Sequence, residues 1–311
     1  MNSATLSFNP RLRREPDGCI TIAAPAKLNL GLRIFSVRDD GYHPIESWFV
    51  PISFYDTIRI IPQAAFELVV TGQTAAIPEK LQDNLVGKAA IALFKAAKKE
   101  PHGRIMLHKI IPPGGGLGGG SSDAAAALLA LNAAFSLEQS MASLQALALS
   151  LGSDVPFFVP CRSALCRGRG EIMEPLDFRH AIYAVLLIPP QGVSTRLVYE
   201  QFDRYPQPEL RPAMQWQQLA QAAPEEINAK ISNDLAGPAF AIAPWLDTLR
   251  AELAQAAGQP IHLSGSGSTL FTLFDRGPAA AVFARLCQQR FAHRVRTLPV
   301  RIYRPHEVLG D

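Results

Sequence analysis

The residues best suited to chemistry lie in a glycine-rich stretch near the middle of the chain. Six of the seven residues from 114 to 120 are glycine, and Ser121, Ser122 and Asp123 follow. Glycine allows the backbone to approach a ligand closely and to turn its N–H groups towards it. A helix that starts directly after such a loop adds unpaired N–H donors and a partial positive charge. The stretch is therefore predicted to bind an anion such as the phosphates of a nucleotide, with a flexible linker as the alternative.

The sequence of the glycine run distinguishes it from several known classes of phosphate-binding loop. A Walker A loop ends in Gly-Lys-Ser/Thr, whereas Gly120 is followed here by Ser121. Gly114, Gly116 and Gly119 match the GxGxxG pattern of dinucleotide-binding enzymes. However, so dense a glycine run satisfies that pattern by chance, and the pattern normally opens its domain. A nucleotide-linked oxidoreductase stays an alternative, and the protein-kinase signatures HRD and DFG are absent from the sequence.

Two other segments complete a pattern with the glycine run. Residues 25–30 are Pro-Ala-Lys-Leu-Asn-Leu, and residues 263–271 are Leu-Ser-Gly-Ser-Gly-Ser-Thr-Leu-Phe. In this order the three segments resemble the three motifs of the GHMP kinases, and the resemblance spans about residues 22–274. It implies an α+β, two-domain GHMP kinase fold with the active site in the cleft between the domains. The N-terminal ATP-binding domain (1–172) would resemble ribosomal protein S5 domain 2, and the C-terminal domain (173–311) would be ferredoxin-like.

Lys27 and Asp154 are the candidate catalytic residues. Residues 152–158 (Gly-Ser-Asp-Val-Pro-Phe-Phe) resemble the aspartate segment of the family, which implies that Asp154 receives the proton of the acceptor hydroxyl. Lys27 would pair with Asp154, keep it ionised and polarise the acceptor oxygen. Phosphoryl transfer depends mainly on positioning and on neutralising charge, which such a pair can supply. Without the resemblance, Asp154 would be interpreted as a cap or turn residue and Lys27 as a surface lysine at a strand edge.

The resemblance also implies where ATP and Mg²⁺ would bind. Asn84 and Lys109 would contact the adenosine and the phosphates, although a helix cap and a solvated lysine explain them equally well. Ser122 is a candidate Mg²⁺ ligand and is equally the expected N-cap of the next helix. Because the sequence has no acidic cluster for a metal, ATP itself would hold most of the Mg²⁺ coordination. The predicted nucleotide-binding residues are Asn84, Lys109, Pro113, Gly114, Gly115, Gly116, Leu117, Gly118, Gly119, Gly120, Ser121 and Ser122.

A further set of residues indicates the acceptor. Residues 40–44 (Asp-Gly-Tyr-His-Pro) resemble the segment that holds the base in GHMP kinases acting on a cytidine diphosphate-linked polyol. Tyr42 would stack on the cytosine, His43 would hydrogen-bond to it and Tyr199 would cover its other face, whereas core tyrosines are the alternative. The implied reaction phosphorylates a tertiary hydroxyl of that polyol in the non-mevalonate isoprenoid pathway. The predicted substrate-binding residues are Asn29, Tyr42, His43, Asp154, Tyr199, Gly265 and Ser266.

Two alternatives share the same fold. The first is a GHMP kinase that acts on mevalonate, homoserine or a sugar, and Tyr42, His43 and the long glycine loop count against it. The second is a non-catalytic nucleotide-binding member, and the presence of both Lys27 and Asp154 counts against that. Residues 233–235 (Asn-Asp-Leu) also match a family pattern, but no chemical role follows from it.

Hydrophobic periodicity and turn residues predict the elements that hold these side chains. Lys27 and Asn29 fall in a predicted strand at 20–34, and the glycine run lies between a strand at 104–111 and a helix at 122–135. Further strands are predicted at 47–61, 164–167 and 182–188, with a strand–turn–strand unit at 261–274. Further helices are predicted at 84–99, 141–151, 216–223, 238–257 and 279–289.

The composition excludes several functional classes. Thirty basic and twenty-seven acidic residues, spread along the chain, give a formal net charge of +3, which is too little for a nucleic-acid-binding protein. The four cysteines form no CxxC pair, and the histidines have no metal-binding spacing. No apolar run in the sequence has the length of a membrane span or the form of a signal peptide. A cytoplasmic enzyme with a frayed N-terminal tail is expected, without nucleic-acid or membrane partners, as a monomer or homodimer.

Overall fold

The first half of the chain forms one large sheet with four helices. The computed structural model describes residues 11–39, 41–74, 77–78, 80–204 and 213–303. The strands of this sheet are β1 (Leu12–Arg14), β2 (Ile20–Ile34), β3 (Ile45–Ile61), β4 (Phe66–Gly72), β5 (Gly103–Lys109), β6 (Ala164–Gly168) and β7 (Ile172–Pro175). The helices are α1 (Leu85–Ala96), α2 (Gly119–Ala134), α3 (Met141–Leu151) and α4 (Val155–Phe158). The strand order is β1-β2-β3-β5-β4, with β6 pairing with β3 and with β7, and only β4 and β5 are parallel.

The second half forms a smaller antiparallel sheet. Its strands are β8 (Tyr183–Ile188), β9 (His262–Leu263), β10 (Leu270–Phe274) and β11 (Arg296–Arg301), in the order β11-β8-β10-β9. Its helices are α5 (Thr195–Phe202), α6 (Trp216–Ala220), α7 (Pro224–Lys230), α8 (Ala236–Ile242), α9 (Pro244–Ala257) and α10 (Gly277–Phe291). The predicted α+β class is therefore confirmed. No helix in the described part of the chain is long and apolar enough to cross a membrane.

The central strand β8 shows why the two sheets share a core. Val185 and Leu187 pack against the helices of the second half, whereas Ala184, Leu186 and Ile188 belong to a cluster that also contains residues of β2 and β3. Alternate side chains of a strand point to opposite faces, so β8 is buried on both sides. This accounts for its continuous apolar sequence. The second sheet therefore covers part of the first, and the covered part includes the middle of β2.

Two features of the first sheet position the candidate site. The middle of helix α2 is buried on all sides, as its alanine- and leucine-rich sequence allows, and this fixes the helix start behind the glycine loop. Strand β2 has register irregularities on both sides of the segment from Lys27 to Asn29. Such bulges redirect side chains out of the regular alternation. Both Lys27 and Asn29 lie within this irregular segment and are buried polar residues in the middle of a strand.

Several predicted elements differ from those observed. The helix predicted at 238–257 is two helices, because Pro244 forces Ala243 out of helical geometry and starts α9 anew. The helix predicted from Ser122 begins at Gly119, within the glycine run. The edge strands β4 and β7 are absent from the predicted elements; β4 is partly exposed, although its Phe66, Leu68 and Val70 pack against the core. Strand β7 pairs with β6, so the first sheet runs to Pro175, and the boundary at 172/173 stays a prediction.

Candidate active site

Lys27 and Asp154 form an ion pair at the junction of the two halves. Lys27 Nζ lies 3.5 Å from Asp154 Oδ2, and the Lys27 side chain is almost completely buried whereas a third of the Asp154 side chain is exposed. The interpretation of Lys27 as a surface lysine is therefore wrong. Asp154 occupies the N-cap position of α4 but makes no capping hydrogen bond with its side chain. Its carboxylate is thus uncapped and partly exposed to solvent, whereas the ammonium of Lys27 is buried.

A chain of hydrogen bonds fixes the ammonium of Lys27. Lys27 Nζ donates to Asn29 Oδ1 at 2.6 Å, and it lies 4.3 Å from the centre of the Phe49 ring. Asn29 Nδ2 donates to Ser47 Oγ, which in turn donates to the carbonyl of Gly31. Because each amide and hydroxyl has one orientation that satisfies this chain, the Asn29 oxygen must face Lys27. Asn29 therefore orients the lysine and is itself held rigidly.

The glycine loop has the geometry of an anion cradle. The backbone N–H groups of residues 114–121 have no acceptor among the described residues. The loop lines a cleft of about 340 Å³, and Ile77, Pro78 and Asn84 line the same cleft. Gly118, with φ of 69°, is the N-cap of α2, so the loop leads directly into the positive end of that helix. A linker would not be held between a strand and a buried helix, and that alternative is wrong.

The third motif packs directly on this loop. A Cβ atom on Gly116 would lie 2.2 Å from the carbonyl oxygen of Ser264, so only glycine permits the contact. Ser264 Oγ donates to the carbonyl of Gly116, and the N–H of Thr269 donates to the carbonyl of Gly115. A Cβ atom on Gly265 would lie 3.3 Å from Asn29 Oδ1. The three motifs, far apart in the sequence, therefore meet around Lys27 and Asn29.

Lys109 is buried between two carboxylates that the sequence analysis did not identify. Its Nζ contacts Asp56 Oδ2 and lies 2.6 Å from Asp123 Oδ2, so the solvated-lysine interpretation is wrong. Burial alone would lower the pKa of Lys109, but the charges of Asp123 and Asp56 outweigh it and the pKa is raised. Burial raises the pKa of Asp123 against the opposing effect of Lys109. Two acidic residues inside an apolar strand and an alanine-rich helix were the signal that could have revealed the cluster.

Asp56 connects this cluster to the glycine loop. Its Oδ1 accepts hydrogen bonds from the backbone N–H groups of Ile110 and Ile111, which lead into the loop. Lys109 itself lines the cleft, and a Cβ atom on Gly119 would lie 3.4 Å from its Nζ. The cluster therefore fixes the charged Lys109 side chain at the wall of the cleft and also fixes the backbone that leads into the glycine loop.

Ser122 does not cap helix α2, so that interpretation is wrong. Gly118 is the N-cap, and Ser122 lies inside the first turn. Its hydroxyl is buried without a hydrogen-bond partner in the described part of the chain, as are Asp123 Oδ1 and the hydroxyl of Thr269. Buried polar atoms without partners are rare in native proteins. Oxygen atoms are the ligands that a hard cation such as Mg²⁺ prefers. No group of three or more His, Cys, Asp or Glu residues in the described ranges could hold a metal.

Asn84 serves as a helix cap and also lines the cleft. Its Oδ1 accepts a hydrogen bond from the N–H of Val86 at 2.9 Å, which confirms the capping alternative. The same residue lines the cleft together with the glycine loop. Its contact with a nucleotide stays a prediction.

The residues predicted to bind a base lie on the segment after β2 and on α5. Tyr42 is 52% exposed, and the Arg169 guanidinium lies 3.7 Å from its ring centre, so Tyr42 is not a core tyrosine. His43 Nδ1 lies 2.8 Å from the carbonyl oxygen of Phe35, and Nε2 lies 2.8 Å from Asp203 Oδ1. Asp40, at the start of the same motif, lies outside the described residues.

Tyr199 is partly buried beside His43 and within electrostatic reach of Asp154. Its ring centre lies 6.1 Å from that of His43 at a tilted angle. Burial raises the pKa of Tyr199 to about 12, and the charge of Asp154 acts in the same direction. Ser266 Oγ lies 2.8 Å from Thr195 Oγ1, which joins the third motif to the start of the same helix. An acceptor molecule in this space could therefore contact aromatic rings at one end and the carboxylate at the other.

The chain is similar to known kinases over most of its length. A family model described as GHMP kinases N terminal domain matches residues 84–161, and one described as GHMP kinases C terminal matches residues 217–293. The 4-diphosphocytidyl-2-C-methyl-D-erythritol kinase of Methylacidiphilum infernorum is 40% identical over 256 residues, which cover 81% of this chain and 85% of the relative. The kinase of the same name from Nocardia farcinica is 38% identical, with 89% and 92% covered. A crystal structure of 4-(cytidine 5'-diphospho)-2C-methyl-D-erythritol kinase superimposes with a TM-score of 0.77 at 36% identity, covering 91% of this chain and 98% of that one.

Proposed function

Because the chain belongs to the 4-diphosphocytidyl-2-C-methyl-D-erythritol kinase family of the GHMP kinases, we propose that it transfers the γ-phosphate of ATP to the 2-hydroxyl of 4-diphosphocytidyl-2-C-methyl-D-erythritol. It is therefore an ATP-dependent kinase of small molecules, acting in the non-mevalonate isoprenoid pathway. One observation carries the proposal. The ion pair of Lys27 and Asp154 lies beside the glycine loop, because the backbone N–H of Lys27 donates to the carbonyl of Leu117 in that loop. The backbone N–H groups of the loop have no acceptor among the described residues and can therefore bind phosphate.

The chemical step needs a proton acceptor and a fixed positive charge. Asp154 takes the proton of the acceptor hydroxyl, whose oxygen forms the new bond to the γ-phosphorus. The bond from that phosphorus to the β,γ-bridging oxygen breaks, and ADP leaves with the electron pair. Lys27 pairs with Asp154 and offsets the negative charge that gathers near the acceptor oxygen. Because the acceptor is a tertiary alcohol, alignment and exclusion of water matter more than the strength of the nucleophile.

The nucleotide is held by the loop and the cleft behind it. The phosphates are bound by the N-terminus of α2 and by the N–H groups of residues 114–121, which have no acceptor among the described residues, and Lys109 adds a positive charge to the same cleft. The adenosine lies towards Asn84 in that cleft. Ser122, whose buried hydroxyl has no partner among the described residues, would hold Mg²⁺. When bound, Mg²⁺ neutralises charge on the β- and γ-phosphates.

The cytidine is held by residues on the other side of Lys27. Tyr42 and Tyr199 stack on the two faces of the cytosine, and each such contact is worth about 1–3 kcal/mol. The His43 ring binds the polar edge of the base once Nε2 leaves Asp203, to which it is bonded in this structure. Gly265 and Ser266 complete the wall nearest Asn29.

The proposal also includes a compartment and a quaternary state. The thiols of Cys19, Cys161, Cys166 and Cys287 are unpaired, which suits a reducing compartment such as the cytoplasm. The enzyme would act there as a monomer or homodimer. Size-exclusion chromatography with light scattering distinguishes the two states.

The test of the function is identification of the product. The purified protein is incubated with Mg²⁺, ATP and 4-diphosphocytidyl-2-C-methyl-D-erythritol, and phosphorus NMR is expected to show ADP and a new phosphomonoester on the polyol. Parallel incubations use mevalonate, homoserine and a sugar as acceptors. Turnover of one of these acceptors without turnover of the cytidyl substrate would refute the proposed specificity.

A further inference from the structure

Asn233 makes contacts that the chemistry above does not use. Its Nδ2 donates to the carbonyl oxygens of Leu263 and Gly265, at 2.8 Å and 2.7 Å. Its Oδ1 accepts a hydrogen bond from the N–H of Leu235 at 2.9 Å. One amide group therefore binds two carbonyls of the glycine turn in the third motif. Since both donors and the acceptor are occupied, this side chain is held in a single orientation.

The contact with Gly265 determines where a neighbouring N–H group points. In a trans peptide the C=O and the following N–H lie on opposite sides, so the N–H of Ser266 points away from Asn233. That N–H has no acceptor among the described residues. Gly265 itself lies against Asn29 and Gly116, with φ of 58°. Asn233 thus presents a free backbone donor from the turn that closes over Lys27 and the phosphate loop.

Asp234 makes the corresponding contact on the other side. Its Oδ2 accepts a hydrogen bond from the N–H of Ile34 at 2.8 Å, and its own N–H donates to the carbonyl of Leu32 at 3.0 Å. Strand β2 ends at Ile34, and the next residue, Phe35, bonds through its backbone to Pro44 and to the His43 ring. Asp234 therefore holds the point from which the segment carrying Tyr42 and His43 begins.

We infer that Asn233 and Asp234 are positioning residues that fix two walls of the acceptor site relative to each other. Asn233 sets the glycine turn beside Asn29, and Asp234 sets the segment that carries His43. Both walls are thereby anchored to strand β2, which also carries Lys27. The inference rests on the proposed function, because it assigns these walls to the phosphoryl and cytidyl ends of the acceptor.

Asn233→Asp isolates the first contact. The carboxylate keeps the size of the amide and can still accept from Leu235, but it cannot donate and it repels the two carbonyl oxygens it faces. With the cytidyl substrate we expect kcat to fall about 10- to 100-fold, the range expected from a displacement of up to about 1 Å near the reacting groups. KM for ATP is expected to stay within about threefold, since the Asn233 side chain bonds to Leu263, Gly265 and Leu235, and none of these residues lines the proposed nucleotide cleft. Asn233→Ala, which adds no charge, replaces this variant if Asn233→Asp does not fold.

Asn228→Asp is the matched control. Asn228 is also a buried amide in the second half, and it donates to the carbonyl of Pro260 and to Thr272 Oγ1 without touching the glycine turn. The control is expected to lower Tm yet leave kcat within about threefold of the wild type. Equal kcat values in Asn233→Asp and Asn228→Asp, with equal losses of Tm, would overturn the inference for Asn233.

Asp234→Ala tests the second contact by a different kinetic constant. Loss of the acceptor for Ile34 is expected to raise KM for the cytidyl substrate about tenfold, with a smaller effect on KM for ATP. Equal increases in both KM values would reduce Asp234 to a structural residue.

Hydrogen–deuterium exchange separates this inference from the proposed function. The N–H groups of Ser264 and Gly267 are bonded within the glycine turn, and Asn233→Asp is expected to speed their exchange at least tenfold whereas Asn228→Asp is not. This measurement needs no substrate. If the wild type gives no product with the cytidyl substrate, the proposed function fails, and the exchange rates still decide whether Asn233 holds the turn.

Discussion

Replacing Gly118 by alanine tests whether the glycine loop sets the position of the catalytic lysine. Gly118 has φ of 69° and ψ of 17° at the N-cap of α2. A Cβ atom there would lie 2.9 Å from Phe158 Cζ and 3.1 Å from Lys27 Cγ. Carbon atoms in contact are normally about 3.5–4.0 Å apart, so one of the neighbours must move by about 0.5 Å. Phe158 is fully buried against Phe157, so most of the movement is expected at Lys27.

The magnitude of the effect follows from this displacement. The Nζ atom of Lys27 lies 3.5 Å from Asp154, and a shift of the stem moves it away from this partner or from Asn29. A misplacement of 1 Å can cost about 100-fold in rate, so about half that shift corresponds to roughly tenfold in kcat. The left-handed backbone adds a separate cost of about 1–2 kcal/mol in stability, because any residue with a Cβ atom is strained there.

Gly258→Ala provides a matched control for that strain. Gly258, the C-cap of α9, has φ of 65° and ψ of 18°, and a Cβ atom on it would meet nothing within 4 Å. Gly258→Ala is expected to lose about 1–2 kcal/mol of stability in denaturation experiments, and Gly118→Ala at least as much, because its Cβ atom also overlaps with Phe158 and Lys27. Only Gly118→Ala is expected to lower kcat about tenfold in steady-state assays. A Gly118→Ala enzyme with the kcat of Gly258→Ala would refute the argument that the loop holds Lys27 in place.

Three further predictions follow from single side chains. Asp154→Asn is expected to lower kcat by about 10²–10⁴-fold with little change in calorimetric ATP affinity, and a kcat within threefold of the wild type would remove Asp154 from the mechanism. Asp56→Asn keeps the size of the side chain but removes one charge from Lys109, so urea denaturation should show a loss of about 1.5–3 kcal/mol, and an unchanged midpoint would contradict the buried pair. Burial lowers the pKa of His262 to about 4, whereas the unfolded state titrates near pH 6.5, so the unfolded state gains a proton first as the pH falls. The folded and unfolded pKa values of His262 differ by about 2.5 units, so the free energy of unfolding should fall by roughly 3 kcal/mol as the pH drops from 6.5 to 4. Thermal denaturation of His262→Gln should show a smaller change of Tm with pH across that range.

The sequence was sufficient for the family, the fold and most of the regular elements. The predicted two-domain GHMP kinase fold is confirmed, and so is the nucleotide-dependent kinase activity that it implied. Strand β2 and helix α3 have the predicted limits, at 20–34 and 141–151. These features depend on residues close together in the chain, such as a glycine run, an apolar period or a capping serine. The observed distances leave the roles of Lys27 and Asp154 as predictions, although they place the two side chains together.

The helix break and the edge strands show where local patterns gave too little information. Residues 238–257 have a helical composition, and only the backbone geometry at Ala243 shows that α8 ends before Pro244. Strand β7 has no buried residue and no apolar alternation, whereas in β4 Phe66, Leu68 and Val70 alternate and pack, partly exposed, against the core. Strand β4 pairs with β5, which is distant in the sequence. Strand β7 pairs with β6, from which a turn separates it.

Contacts between distant residues were decided by the tertiary structure. Lys109 resembles a solvated lysine in sequence because its partners, Asp56 and Asp123, lie 53 and 14 positions away. Lys27 is buried because residues distant in the chain, among them Phe49, Gly118 and Asp154, lie around its side chain, which no periodicity within β2 can indicate. Asn233 reaches the glycine turn 30 residues further along the chain. Such contacts depend on strand order, register and the packing of one sheet on another, and these arise only when the whole chain has folded.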